Sequence, residues 1–248
     1  MRCWPTRNLF RDIMTQDAPL DLAVNGDIVR PDGSVLRDGW LSVQGGRIVA
    51  LSASRPEAVE VLTARGMLIL PGFVDAHVHT RSCVDEGITA TTRAAAAGGT
   101  TTIIDMPFDK PARPVNSKET LVAKIEDVGR EAVVDVALYA TFGPTGDLSV
   151  LGEMASVGAA GFKVSTIEAD PLRFPRIPDG RLYEAFQEVA GTGLPVAAHQ
   201  ENQEIIFSQE EAFRARGDTA PIDHALSRPP VAEAEAAGRL LELAHWAG

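Results

Sequence analysis

Two histidines flank one valine at the end of an apolar stretch, in the sequence His77-Val78-His79. Alternate side chains of an extended strand point to the same side, so both imidazoles project in one direction. Two convergent imidazoles can bind one zinc-like ion. Taken alone, the pair has a second interpretation, because many such histidines are hydrogen-bonded surface residues. A metal site is the better interpretation only if other strand ends supply further ligands.

Lys163 is a second candidate ligand, near the end of the apolar segment Gly-Phe-Lys-Val-Ser. Strand alternation turns its side chain to the face opposite that of Phe162. One interpretation is a lysine whose stem packs on apolar neighbours while its ammonium reaches solvent. The other is a desolvated, partly deprotonated amine that takes up carbon dioxide and becomes a carbamate. A carbamate has two anionic oxygens, enough to bridge a pair of metal ions.

His199 is a third candidate, again at the last position of an apolar segment, Pro-Val-Ala-Ala-His. Three strand ends thus each supply a ligand-type residue to one rim. A single histidine is easily placed there by chance, whereas three coincident strand ends are not. The combination favours a metal site over the separate explanations of each residue.

The elements that must position these residues follow Pro71 and Gly72. Apolar segments alternate there with longer helical stretches, and such repeats predict parallel strands joined by right-handed crossovers. The predicted fold class is therefore α/β, either an open sheet or a barrel. The predicted strands lie at 73–79, 100–106, 133–142, 159–165 and 194–200, and the predicted helices at 85–97, from about 116 onward, 147–157, 180–191, 201–215 and 230–246.

The segment before Pro71 has a different pattern. Short apolar runs between residues 21 and 70 are separated by glycines and predict hairpin strands, with tight turns at Asn25-Gly26 and Gly45-Gly46. These strands would form a small β layer. The predicted domains are an N-terminal extension at 1–17, a small β-sandwich portion at 18–70 and the α/β barrel portion at 71–248.

Composition excludes several classes of function. The chain of 248 residues has 34 acidic against 23 basic side chains and a formal net charge of −11, so it would repel phosphate backbones and anionic lipid. Two cysteines are too few for a disulfide framework. No apolar run approaches the roughly 20 residues that span a bilayer. We expect a cytoplasmic protein without nucleic-acid or membrane partners.

Residues 1–17 lack the apolar stretch of a secretory signal, and a native start at Met14 is an alternative to Met1.

Five motifs together resemble the cyclic amidohydrolases, a family that contains dihydroorotases, allantoinases and hydantoinases. In chain order they are PGFVDAHVHTR, AAAAGGTTTIIDMP, GFKVS, HQEN and HALSRPPVAEAEA. The resemblance runs from about Asp21 to Gly248. It implies a small N-terminal β-sandwich domain beside a metal-dependent (β/α)8 hydrolase barrel. An unrelated binding module with a fortuitous pair of histidines would not carry these motifs in this order.

The resemblance also implies a metal centre of two divalent ions, usually zinc. His77 and His79 would hold the ions on one side and His199 on the other, with N6-carboxylated Lys163 as the bridge between them. The family pattern needs two more residues, a histidine on the sixth strand and a catalytic aspartate on the eighth. No residue of this chain is assigned to either position.

The barrel that the resemblance implies is longer than this chain provides. About five βα units follow Pro71, whereas a closed eight-stranded barrel takes about 250 residues by itself. We therefore expect a chain truncated at its C-terminus, with little or no activity alone. His224 and His245 do not match the sixth-strand position. We expect His224 to cap or pack a loop before the last helix, and His245 to lie on the surface of that helix.

Arg81 is the candidate substrate-binding residue. The pattern His-x-His-x-Arg resembles dihydroorotases and allantoinases, where the guanidinium can hold a substrate carboxylate or carbonyl. A salt-bridged arginine at the rim is the equally supported alternative. Hydantoinases usually lack this arginine and have a tyrosine where this chain has Glu168. Dihydroorotases typically have asparagine where this chain has Phe108. The motif HALSRPP is also similar to hydantoinases, so the ring substrate stays open.

The resemblance implies a hydrolase of carbon–nitrogen bonds that opens a cyclic amide or ureide of the dihydroorotase or allantoinase type. The attacking group would be a metal-bridging hydroxide. A hydantoinase or dihydropyrimidinase is the first alternative. A non-catalytic scaffold of the same fold, or an inactive fragment, is the second, although such scaffolds usually lose the metal ligands. Family members suggest a homo-oligomer. Ser165, Glu201 and Asn202 lie near ligand positions and could either support ligands or face the substrate.

Overall fold

The computed structural model describes residues 19–83, 86–110 and 113–248. The predicted N-terminal extension and the alternative start at Met14 lie outside these residues. Two compact units divide between Pro71 and Gly72. The N-terminal unit contains β1 (Leu20–Val29), β2 (Val35–Gln44), β3 (Arg47–Ser52) and β4 (Ala58–Ile69). The C-terminal unit contains β5 (Phe73–Val78), α1 (Ile88–Ala97), β6 (Thr100–Asp105), β7 (Phe108–Asp109), β8 (Arg113–Pro114), α2 (Lys118–Glu131), β9 (Asp135–Ala140), α3 (Ser149–Ser156), β10 (Gly161–Ser165), α4 (Asp179–Ala190), β11 (Val196–His199), α5 (Gln203–Arg216), α6 (Pro221–Leu226) and α7 (Pro230–Ala247).

The N-terminal unit is a separate four-stranded sheet in the order β3-β2-β1-β4. β1 pairs antiparallel with β2 and parallel with β4, and β2 pairs antiparallel with β3. Gly45 and Gly46 join β2 to β3 with φ values of 58° and 72°. Such left-handed backbone favours glycine, so the predicted turn at this position is confirmed.

The predicted turn at Asn25-Gly26 is wrong. Both residues lie inside β1, where the pairing register with β2 shifts between Gly26 and Ile28. A Cβ on Gly26 would approach the Ile69 side chain to 2.9 Å and the Ala64 carbonyl oxygen to 3.0 Å. Glycine is therefore required here by the close approach of β4 and not by a turn.

The C-terminal unit is built on five parallel strands in the order β5-β6-β9-β10-β11. Each neighbouring pair is parallel, so the spatial order of the strands follows their order in the chain. Helices connect consecutive strands, and the sheet curls into a half-barrel. The predicted α/β class, a partial barrel beside a separate N-terminal sheet, is confirmed.

The main core of the C-terminal unit lies between the sheet and its helices. Phe162 and Val164 of β10 are buried there against apolar residues of the helices, such as Leu121, Met154 and Leu182. Strand alternation turns Lys163, between them, to the other face of the sheet. The helices thus cover one face, and the opposite face carries the polar residues of the strand ends.

Helix ends differ slightly from the prediction. The N-cap of α2 is Ser117, whose side chain accepts a hydrogen bond from the Thr120 amide, one residue after the predicted start at about 116. His224 lies in the short helix α6 and not in a loop. His245 lies in the last turn of α7 and is exposed, as expected. Within the described residues, every helix is too short or too polar to cross a membrane.

Candidate metal centre

His77 and His79 lie at the carboxyl end of β5. Their ring centroids are 5.4 Å apart and the ring planes meet at 43°, so both imidazoles project to the same side. The Nδ1 atom of His79 is buried and has no hydrogen-bond partner among the described residues. A buried polar atom without a partner is costly, and a bound ion is one way to satisfy it. Burial lowers the pKa of both rings, which favours the neutral imidazole that binds metals.

The end of β5 is held in place by β6. Asp105, the last residue of β6, accepts hydrogen bonds from the Thr80 amide at 3.0 Å and from the Thr80 hydroxyl at 2.6 Å. The Met106 amide donates to the Val78 carbonyl oxygen at 2.8 Å. These contacts fix the backbone on both sides of His79. Sequence reasoning missed Asp105, although its position at the end of a buried apolar strand was a usable signal.

Lys163 is almost completely buried, with 6 % of its surface exposed. Burial lowers the pKa of its amine, which favours the uncharged, nucleophilic form. No carboxylate of the described residues lies within ion-pair distance of it. Lys163 is close enough to His77 for its positive charge, second to burial, to lower the pKa of that imidazole.

His199 ends β11 and lies beside Ser165 of β10 in the parallel register. Its Nε2 atom is 3.0 Å from Oε2 of Glu201, and the edge of its ring faces Phe174 at 5.8 Å between centroids. Phe174 in turn packs on Phe108 at 4.0 Å. The His199 ring is therefore held by a carboxylate and an aromatic wall. Sequence reasoning left Glu201 open between supporting a ligand and facing the substrate.

A cavity of about 540 Å³ adjoins His199. Three carboxylates, one guanidinium and a second imidazole contribute to its lining, among them Glu168, Glu210, His224 and Arg228. The cavity is open and combines these charged groups with apolar side chains such as Phe207, and it lies at the carboxyl ends of the strands. In parallel α/β folds these ends are where ligands bind.

The curled sheet brings the four predicted ligands into one neighbourhood. β5 and β11 are the two outer strands of the five-stranded sheet, yet the charges of Lys163 and His199 both contribute to lowering the pKa of His77. The donors are imidazoles and a desolvated amine, which fits zinc-type ligation. Among the described residues, however, no three His, Cys, Asp or Glu side chains are close enough to form a complete metal cage.

Arg81 follows β5, and its side chain contacts α2 and not the cavity. Its guanidinium donates to Asp127 at 2.7 Å and to Glu131 at 3.2 Å. The salt-bridge alternative therefore describes the contacts in this structure, and a substrate contact by Arg81 stays a prediction.

A sequence profile of the amidohydrolase family matches residues 68–241. An allantoinase from Solibacter usitatus is 36% identical over 226 residues, which cover 90% of this chain and 49% of that protein. An L-hydantoinase from Paenarthrobacter aurescens is 34% identical over 233 residues, covering 90% of this chain and 49% of the relative.

Solved structures are similar in the same way. The L-hydantoinase (dihydropyrimidinase) from Arthrobacter aurescens superposes with a TM-score of 0.84 at 33% identity, covering 92% of this chain and 51% of that one. The chain thus spans about half the length of the curated relatives it matches. The family match covers most of the α/β unit, including all four candidate ligands, and on these grounds the chain belongs to the amidohydrolase family.

Proposed function

We propose that the protein is a metal-dependent cyclic amidohydrolase, which opens a cyclic ureide or amide ring by hydrolysis. One observation supports the proposal: the charges of Lys163 on β10 and His199 at the end of β11 both act on the His77 imidazole of β5. The similarity to an allantoinase and to L-hydantoinases supports the ring chemistry. Enzymes of this type generally depend on two metal ions.

The residues that would hold the ions are His77, His79, His199 and Lys163. The two β5 imidazoles are favoured in the neutral form because burial lowers their pKa. The desolvated Lys163 amine can attack carbon dioxide, form a nitrogen–carbon bond and lose a proton, which leaves an anionic carbamate. When bound, the ions, which we expect to be zinc, would activate a water molecule and polarise the ring carbonyl.

The protein's own residues orient the site. Phe174 packs beside His199, and Phe108 packs on the ring of Phe174. Thr80 and Asp105 hold the β5 end so that both imidazoles keep one direction. No described residue is assigned the proton transfer from the attacking water to the leaving ring nitrogen.

An allantoinase-type ureide is the substrate class we favour. The pattern of Arg81 two residues after His79 is the sequence feature that supports it. A hydantoin is the second candidate, because the similar solved structure is an L-hydantoinase. Glu168, which lines the cavity where hydantoinases usually have a tyrosine, is a feature that would separate the two classes.

The proposal also includes the domain boundaries, the oligomeric state and the cellular location. The domain boundaries remain those expected from the sequence, with a β-sandwich portion at 18–70 and a barrel portion at 71–248. A homo-oligomer is expected only because related enzymes are oligomeric. A cytoplasmic location is consistent with the free, exposed thiol of Cys83.

Metal binding by the chain is the direct test. Zinc affinity would be measured by chelator competition for the wild type, for His77→Ala and for the control His245→Ala, an exposed histidine on α7. We expect His77→Ala to weaken binding by at least the roughly 10- to 100-fold that follows loss of an outer partner of a metal ligand, and His245→Ala to leave it unchanged. Equal affinities for all three proteins would overturn the proposed site.

Ring opening is tested on the protein isolated from its source, because the chain of 248 residues is expected to have little or no activity alone. Allantoin, hydantoin, dihydrouracil and dihydroorotate would be offered before and after treatment with a chelator. We expect turnover of a ureide ring that is lost with the metal and restored by zinc. Metal binding without turnover of any of these rings would favour the non-catalytic alternative.

A further inference from the structure

We propose that Arg228 is a positioning residue: through Glu201 it holds the His199 imidazole in one orientation and one tautomer. The consequence for metal binding rests on the proposed function, but the orientation of the ring can be tested without any metal. The proposal also gives a role to the motif HALSRPP, to which the metal centre assigns none.

The guanidinium of Arg228 donates hydrogen bonds to both oxygens of the Glu201 carboxylate. Nη1 donates to Oε1 at 2.8 Å and to Oε2 at 2.9 Å, while Nη2 donates to Oε1 of Glu210 at 3.0 Å. Glu201 has 7 % of its surface exposed. A charge-assisted contact in such a site is worth more than one in open solvent. Arg228 therefore connects α5, which carries Glu210, to the segment that follows β11.

The backbone of Glu201 is fixed as firmly as its side chain. Its amide donates to the Thr166 hydroxyl oxygen at 2.9 Å, and that hydroxyl donates to the Glu201 carbonyl oxygen at 2.8 Å. The next amide, of Asn202, donates to the Ala232 carbonyl oxygen at 2.9 Å. With both ends held, the carboxylate has little freedom to follow a moving imidazole, so the imidazole must adapt to the carboxylate.

The carboxylate selects the tautomer of His199. An ionised carboxylate accepts hydrogen bonds and donates none, so Nε2, which is 3.0 Å from Glu201 Oε2, must carry the ring proton in this contact. The neutral ring then keeps its lone pair on Nδ1. Without the Arg228 grip, the carboxylate could turn and the ring could exchange between tautomers.

The position of Arg228 in the chain favours this role. It lies between α6 and α7 and is followed by Pro229 and Pro230, whose fixed φ angles restrict the backbone. Ser227, before it, is buried, and its hydroxyl donates to the His224 carbonyl oxygen at 3.0 Å. The planar guanidinium of arginine reaches two carboxylates at once, Glu201 through Nη1 and Glu210 through Nη2, whereas lysine has only one ammonium group for both.

The test compares arginine variants that share one partner. Arg228→Met removes the grip on Glu201, whereas the control Arg214→Met removes a different arginine that contacts Glu210 at 2.9 Å. The tautomer of His199 would be read from long-range proton–nitrogen correlation spectra of the metal-free chain with labelled histidine. We expect a single Nε2–H tautomer in the wild type and in Arg214→Met, and a mixture in Arg228→Met.

A second variant keeps the test decisive if Arg228→Met does not fold. Glu201→Gln retains the size of the side chain but can also donate, so it should release the tautomer in the same way. Arg228→Lys should give an intermediate result. An unchanged Nε2–H tautomer in folded Arg228→Met, or in Glu201→Gln if the former does not fold, would overturn the proposal.

Zinc affinity separates this proposal from the proposed function. If both hold, Arg228→Met weakens zinc binding by roughly 10- to 100-fold and Arg214→Met does not. If the wild type binds no zinc but the tautomer still depends on Arg228, the metal centre is wrong and the positioning role stands. If Arg228→Met gives a mixture of His199 tautomers but leaves zinc affinity unchanged, the orientation of the ring does not limit metal binding. The role of Arg228 in the metal site is then overturned.

Discussion

The guanidinium of Arg81 shows how one side chain can serve either the fold or a substrate. It lies two residues after His79, yet in this structure it contacts Asp127 and Glu131 on α2. About a quarter of the side chain is exposed, as is about a quarter of that of Asp127. The pair is thus neither a solvated surface contact nor a fully buried one, and its strength can be measured.

Asp127→Asn tests the structural role of this contact. The hydrogen bond from Arg81 is the main reason that the pKa of Asp127 lies below its usual 3.8. A lowered pKa means that the folded state favours the ionised carboxylate, so the stabilisation is present above 3.8 and is lost as the pH falls through the lower, folded value. At neutral pH we expect Asp127→Asn to lower the free energy of unfolding by about 0.2–1 kcal/mol, the range of partly exposed ion pairs.

Urea unfolding at neutral pH and in the acid range gives the measurement. The control is Glu126→Gln, an exposed carboxylate on the same helix, which we expect to be almost neutral. The difference between wild type and Asp127→Asn should shrink as the pH falls. A difference that stays constant in acid would show that the contact contributes through packing and not through charge.

At the scale of elements, a buried ion cluster joins β5, β6 and α2. Lys124 of α2 lies 2.9 Å from Asp105 and 2.6 Å from Asp109, and only 3 % of its side chain is exposed. Asp105 is fully buried and also binds Thr80 at the end of β5. Lys124 of this helix therefore offsets the charge of the carboxylate that fixes the end of β5, the strand that carries the candidate ligand His77. This contact couples the packing of α2 to the candidate site.

Lys124→Met removes the cation and leaves Asp105 buried without its charged partner. Breaking a buried pair on one side typically costs about 3–5 kcal/mol, and we expect a loss of that size in the free energy of unfolding. Lys118→Met, on the exposed first turn of the same helix, should change it by less than about 0.5 kcal/mol. Denaturant titration compares the two. The double variant Lys124→Met, Asp105→Asn should recover part of the loss, and no recovery would contradict the explanation by unpaired charge.

The strands of the C-terminal unit and the positions of the candidate ligands on them could be predicted, because both follow from local rules. Alternation along a strand and the parallel order of βα units suffice to bring His77, Lys163 and His199 to the same edge of the sheet. The wrongly predicted turn at Asn25-Gly26 shows the limit of such rules, because a glycine required by a neighbouring strand has the same sequence signature as one required by a turn.

The residues that support the ligands could not be predicted in the same way. Arg228 and Glu201 are 27 positions apart, and Thr80 and Asp105 are 25 apart. Nothing periodic in the sequence connects such pairs, since each contact depends on how a helix or loop returns to the sheet. Glu201 could be singled out from the sequence because it lies two residues after His199, but no local signal connected it to Arg228.

At the scale of the whole C-terminal unit, α7 presents apolar side chains to solvent. Val231, Leu241 and Trp246 are exposed by 55 %, 73 % and 67 %. An apolar cavity of about 460 Å³ lies between α4, β11 and α7, and Leu241 is part of its lining. Within the described residues, β5 and β11 each pair with one neighbouring strand and leave their other edge open. Open strand edges and exposed apolar side chains both favour association.

We therefore expect this chain to self-associate through the α7 face, with a fraction that rises with protein concentration. Leu241→Glu should weaken the association constant by about tenfold or more, because burying a leucine contributes about 1.5–3 kcal/mol. Leu172→Glu is the matched control, since Leu172 is also 73 % exposed but lies in the loop before α4. Sedimentation velocity over a range of concentrations measures both. Equal effects of the two substitutions would mean that added negative charge, and not the α7 face, controls association, because the chain already carries a net charge of −11.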